Sequence, residues 1–186
     1  YHRMETLSWT GIVAVMFEAD AHMANYKVTT TTTSTVAAAS GNDEDETASG
    51  NNNNIPTAAL MTKIDESALV ASLIPNIQNA LTEQMYLVSV DARDQDYDRD
   101  CVAAIFPEEY DRDSPSIMAL DVTIRISTRY IPNSITSYTN EDLGEIIIQA
   151  VEGSQQSIMN TLKTSTPFFA AATAIGAVAE EDVAEA

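Results

Sequence analysis

From Leu120 to Tyr130 apolar and polar residues alternate: Leu120, Val122, Ile124, Ile126 and Tyr130 fall on one side, Asp121, Thr123, Arg125, Ser127 and Arg129 on the other. A period of two marks a strand with one face on a core and one in water. The period then changes. Thr139-Asn140-Glu141-Asp142 has the form of a helix start, and Leu143, Ile146, Ile147, Val151, Ile158 and Leu162 follow at helical spacing. A second stripe runs upstream through Leu69, Val70, Leu73, Ile74, Ile77, Leu81 and Met85, with Asp65 or Ser67 as its cap. Pro75 falls inside this stripe and is expected to kink or split the helix.

Shorter patterns fill the gaps. Residues 7–17 read as a strand, with Gly11 at a bulge, and residues 18–28 as helix or extended chain. Tyr86 to Val90 alternate as a short strand with Tyr86, Val88 and Val90 on one side, and Cys101 to Phe106 read as another, ended by Pro107. For Phe168 to Val178, helix propensity competes with the need for a closing strand, and we read a strand. The chain divides into an N-terminal apolar arm (1–28), a low-complexity Thr/Ala/Asn/acidic linker (29–56), a domain (57–180) and an acidic tail (181–186). The linker buries too little to offset its ordering entropy, so a neighbouring subunit is the cheapest means of ordering it. The expected fold is α+β: two helices packed on one face of a mostly antiparallel sheet, in β-α-β-β-α-β order.

That order, over roughly residues 64–180, resembles the split β-α-β plan of ferredoxin-like and SEA-type extracellular modules. Self-cleaving SEA domains carry Gly-Ser at a hairpin between their middle strands. Here Ser89 follows Val88, so the resemblance implies no self-cleavage. The helix, strands, helix order is also similar to that of the small tail-terminator proteins of tailed phages, which stack as rings; that likeness implies a virion or tail assembly role.

Composition narrows the partners. Lys and Arg number 9 against 28 Asp and Glu, for a net charge of −19. Such a surface cannot track phosphates, so nucleic acid and anionic membranes are poor partners, and basic proteins or cations fit better. Cys101 is the only cysteine, which excludes an internal disulfide. The apolar run 11–17 is too short to span a bilayer and lacks the flanks of a signal peptide, so no transmembrane segment is expected. A chain beginning at Tyr1 reads as a processed product or fragment. The sequence leaves the compartment open, with an extracellular or virion-like setting fitting best.

Candidate chemistry is sparse. Asp91 precedes Asp94, Asp96, Asp98 and Asp100, where every second residue is acidic. Alternate carboxylates in a loop can supply oxygens to Ca²⁺, which makes Asp94, Asp96 and Asp98 the candidate metal ligands. An EF-hand loop starting at Asp94 would need Gly and Glu where Arg99 and Ile105 stand, and a solvated hairpin rim explains the run equally well. Tyr-Asp-Arg-Asp occurs at 97–100 and again at 110–113, so paired acidic turns could face a basic partner. His2 and His22 are too far apart to suggest zinc with Cys101. No Gly-X-Ser-X-Gly elbow or phosphate loop is present. The tethered arm offers Trp9, Ile12, Val15 and Phe17 as contact residues, pairing either with the chain's own sheet or with a neighbour's edge. These features together predict a non-enzymatic structural subunit of a homo-oligomeric or filamentous assembly. A Ca²⁺-binding extracellular module and an enzyme built from ordinary carboxylates are the alternatives.

Overall fold

The computed structural model describes residues 3–25, 27–29, 56–98, 105, 116–132 and 137–180. In chain order the elements are β1 (Glu5–Glu18), α1 (Ala19–Asn25), β2 (Lys27–Thr29), β3 (Pro56–Ala58), α2 (Lys63–Ala80) and β4 (Met85–Tyr97). They continue with β5 (Ile117–Tyr130), α3 (Asn140–Gly153), α4 (Gln155–Ser165), a 3₁₀ turn (Pro167–Phe169) and β6 (Ala172–Ala179). The fold is α+β. Its main sheet has four antiparallel strands in the order β4-β5-β1-β6, and β2 pairs with β3 in a small second sheet.

The N-terminal segment is therefore no separate arm. β1 is an inner strand, antiparallel to β5 from Glu5↔Tyr130 to Glu18↔Ile117 and to β6 from Gly11↔Ala179 onward. The predicted β-α-β-β-α-β order also gains elements. A helix follows β1 directly, and the long C-terminal helix is broken at Ser154, which ends α3 and starts α4. The β4–β5 hairpin lies where the two middle strands were expected, but β4 runs on through the acidic stretch to Tyr97.

Both long helices are locked at their starts. Thr62 and Thr139 each accept from the backbone N–H three residues on, while Asp65 and Asp142 return the bond to the cap N–H, two capping boxes. The cap of α2 is thus Thr62, upstream of the Asp65 or Ser67 expected. Pro75 does not split α2. Its ring removes one N–H, the usual partner of the Ala71 carbonyl; Pro75 and Ala71 both lie on the exposed side, which keeps the cost of that missing bond low.

α2 packs on β4, α3 and α4, and α3 and α4 pack on β6. The inward side chains of β1 and β5 share one apolar cluster with Leu73, Ile147 and Leu162. At about 1.5–3 kcal/mol for each large side chain buried, this cluster supplies most of the drive to fold. The last stretch, expected as a strand from Phe168, starts as the 3₁₀ turn that buries Phe168 and Phe169 before β6 begins. Of the linker expected at 29–56, residues 30–55 lie outside the described residues, as do the tail at 181–186 and the second Tyr-Asp-Arg-Asp, while Thr29 and Pro56 end and start the paired strands β2 and β3. Of the strand expected at 101–106 only Ile105 is described; it is helical and packs near Met16 and Ala119.

Candidate functional site

Bulges decide which side chains of β4 face where. β4 and β5 pair with register shifts between Leu87 and Ser89 and between Ala92 and Asp94, so Val88 and Arg93 are the extra residues. The first bulge separates Tyr86, opposite Arg129, from Val90, opposite Ile126, so the two do not share a face as simple alternation predicted. The second bulge returns the chain to phase. Asp91, Asp94 and Asp96 oppose Arg125, Thr123 and Asp121 on the face turned from the main core, while Val90 and Ala92 oppose Ile126 and Ile124 on the core side.

An extended backbone spaces alternate residues by about 6.6 Å, whereas Ca²⁺ draws its oxygens to about 2.3–2.6 Å. Asp94, Asp96 and Asp98 stand in such a row, with Asp98 continuing it through its N–H bond to the Ala119 carbonyl at 3.0 Å. A row cannot converge as a loop does. Among the described residues no group of three or more His, Cys, Asp or Glu is placed to hold a metal ion.

Three of the four expected contact residues are core. Val15 and Phe17 are fully buried, and Trp9 is 9% exposed with its indole seated over two glycines. A Cβ on Gly11 or on Gly144 of α3 would overlap that ring. Gly11 is thus an accommodation for Trp9, and it sits in regular pairing with Ile124 and Ala179. Ile12 points to the opposite face, half-buried near Val178 and Ile105.

What the helix and edge strand leave between them is an open groove of about 460 Å³, lined by Lys63, Glu66, Ser67, Val70, Ala71, Ile74, Val90, Asp91 and Ala92. The Lys63 ammonium lies 3.8 Å from Glu66 in this lining, a pair whose lysine is solvent-exposed and which adds little stability. Large apolar side chains are exposed on or just before the two elements that border the groove: Leu60 (49% exposed) and Ile64 (73%) before and on α2, Val88 (55%) and Tyr86 (53%) on β4, with Tyr86 on the face turned from the main core. β4 is the outer strand of the sheet here, and among the described residues no strand pairs with its outer edge, which forms one wall.

The C-terminal half of that edge is already engaged. Gln95 Nε2 donates to the Met61 carbonyl at 3.1 Å and its Oε1 accepts from Met61 N–H at 2.8 Å. The Tyr97 hydroxyl donates to the Ala59 carbonyl at 2.6 Å, and the Gln95 N–H goes to Asp94 Oδ1. The chain's own 59–61 segment is thereby held beside β4, and the groove continues from where it ends.

Behind Tyr97 lies a buried polar knot absent from the sequence reading. His22 of α1 stacks on Phe17 with ring centres 3.9 Å apart, meets Phe168 edge-on, and its Nε2 is 2.9 Å from the Tyr97 oxygen. Tyr97 has one proton and gives it to Ala59, so Nε2–H is the donor to Tyr97. Burial lowers the His22 pKa to about 4. Burial first, and then the charge of Asp65, raises the Tyr97 phenol above its ordinary value. His22 is 1% exposed, and the knot ties α1 and the 59–61 segment to the end of β4. Its only trace in the sequence was a lone histidine close after an apolar strand. No family model, no curated protein and no solved structure matches this chain.

Proposed function

We propose that this protein is a non-enzymatic interaction module, a structural subunit that holds a partner along the β4 edge of its sheet. One observation carries the reading: an open groove lies between α2 and the outer strand β4, and each of those elements carries an exposed large apolar side chain, Ile64 on α2 and Val88 on β4. Scattered exposed apolar residues are ordinary, but their presence on both elements that wall one groove suits a contact surface. Addition of an extended segment to a sheet edge is a recurrent mode of recognition, in which backbone bonds give affinity and side-chain pockets give selectivity.

The finer reading of the fold goes with this. Without α1, the β2–β3 pair and the break at Ser154, the order is strand, helix, strand, strand, helix, strand, the split β-α-β plan of the ferredoxin-like and SEA-type modules. We read α2, α3 and α4 as lying on one face, since Val13 and Val122 share a cluster with residues of all three helices. Among the described residues, that arrangement leaves β4 with no strand paired at its outer side.

Display of short random peptides tests the proposal. Binders selected on the intact protein are expected to lose binding to Val88→Lys, which charges the edge. If every selected peptide binds that variant as well as the parent, the β4 edge is not the contact surface.

A further inference from the structure

We infer that α1 is an acid-released clasp: when the His22 imidazole takes up a proton, α1 comes away from the sheet while the strands and long helices stay packed. This release needs no partner at the β4 edge. Three segments meet at His22. Its ring stacks on Phe17 of β1, meets Phe168 edge-on at 5.0 Å, and bonds through Nε2 to Tyr97 of β4, whose hydroxyl donates to the Ala59 carbonyl. α1 brings little else inward. Of residues 19–24 only Ala19 and His22 are buried, and among the described residues none of α1 belongs to the main apolar cluster. Seven residues are too few to hold a helix in water without such a contact. The Ala19 N–H is bonded to the Ser116 carbonyl at 2.9 Å, which pins the end of β1 and places the hinge just after it. His22 is thus the fastening, and α1 can leave without opening the core.

An aromatic pocket suits a neutral ring and penalises a charged one. The elements around the ring carry these titratable groups. Tyr97 of β4 is in contact with it; Glu18 ends β1, with its carboxylate accepting from the Ala21 N–H; Asp20 lies on α1 and Lys27 on β2. Asp65 of α2 acts by its charge on Tyr97, and the 3₁₀ turn and β3 bring none. Burial lowers the pKa of the docked ring to about 4, whereas in released α1 it returns to the ordinary 6.5. The released form therefore binds the proton first. Its share rises as pH falls below 6.5, roughly 20-fold from pH 7 to pH 5, and levels off below about 4. Losing α1 gives up far fewer contacts than losing the core, so it is the lower route to a hydrated ring. Release bares Phe17, Phe168 and Tyr97 at the end of β4, an aromatic surface that is closed at neutral pH.

Native-state hydrogen exchange of the full chain at pH 7 and pH 5, corrected for the intrinsic rate at each pH, tests the clasp. The amides of Met23 and Ala24 are expected to lose protection roughly 20-fold on acidification, at rates insensitive to low urea. Val13 and Val122, on inner strands, should instead show the steep urea dependence of global unfolding. His22→Phe keeps an aromatic ring in the pocket and removes the proton site, so it should abolish the acid sensitivity of Met23 and Ala24. Unchanged protection of these two amides at pH 5 overturns the inference. A urea dependence at pH 5 equal to that of Val13 also overturns it, since the ring would then be charged only when the whole fold opens. Equal acid sensitivity in the parent and in His22→Phe would assign the release to Glu18 or Asp20 and overturn it as well. The urea comparison needs only the parent chain, so it decides even where the variant does not fold.

Discussion

Trp9 shows how much a single side chain settles. Its indole needs the space of two missing Cβ atoms, one two residues along its own strand and one on α3. Gly144→Ala separates the two effects of that glycine. A helix interior gains about 1 kcal/mol from alanine, so a net loss of about 1–2 kcal/mol in a denaturant melt would report the clash with Trp9. A gain would mean the ring yields freely. His22 gives a second prediction at this scale. Its folded pKa is about 4 against an ordinary 6.5, so below pH 6.5 the unfolded chain binds a proton that the folded chain refuses. The unfolding free energy is therefore expected to be flat in this group above pH 6.5, to fall as pH drops to about 4, and to level off below. His22→Phe should remove that slope between pH 6.5 and 4, measured by urea titration. Tyr97→Phe leaves the imidazole N–H and the Ala59 carbonyl without each other's bridge and should cost about 1–3 kcal/mol.

At the scale of elements, α2 and α3 are each started by a Thr that reaches an Asp three residues on. Thr62→Ala and Thr139→Ala are each expected to cost about 1 kcal/mol by thermal melting. Thr62 should cost the more, because its Asp65 is buried and loses the bond that the hydroxyl donates to it. Element positions were largely legible in the residues. The alternation at 120–130 lies within β5, and the stripe from Leu143 within α3 and α4. β4 was half legible. Its acidic continuation has no apolar face of its own to advertise a strand, because Gln95 and Tyr97 meet the core side through hydrogen bonds to the 59–61 segment. Bulges leave no periodic trace either; they appear as a phase error, and here that error misassigned Tyr86 and Val90 to one face.

For the molecule as a whole, the position of β1 dominates. It is paired on both sides, so removal of residues 1–18 opens the sheet between β5 and β6 and exposes the main core. The truncated chain is expected to lose its near-ultraviolet dichroism and its cooperative melt; a folded truncated chain would show that the strand is dispensable. A charge of −19 on one small domain also implies self-repulsion in the compact state. Raising salt from low to near-molar should raise the melting temperature, as the Debye length shrinks from about 10 Å at 0.1 M to about 3 Å. The same repulsion bears on assembly: self-association should strengthen with salt.

Local order along the chain determined the α+β class and the place of most elements, because the burial of one face of a strand or helix is written in the spacing of its own apolar residues. The scarcity of basic residues likewise fixed the net charge of −19. Tertiary structure alone decided that β1 pairs within the chain, that Trp9, Val15 and Phe17 face inward, and that His22 meets Tyr97 across 75 residues. It also opened the groove beside β4. These depend on which distant segments meet, and the cost of closing a loop grows only with the logarithm of its length. Sequence separation therefore carries almost no information about the choice; packing makes it.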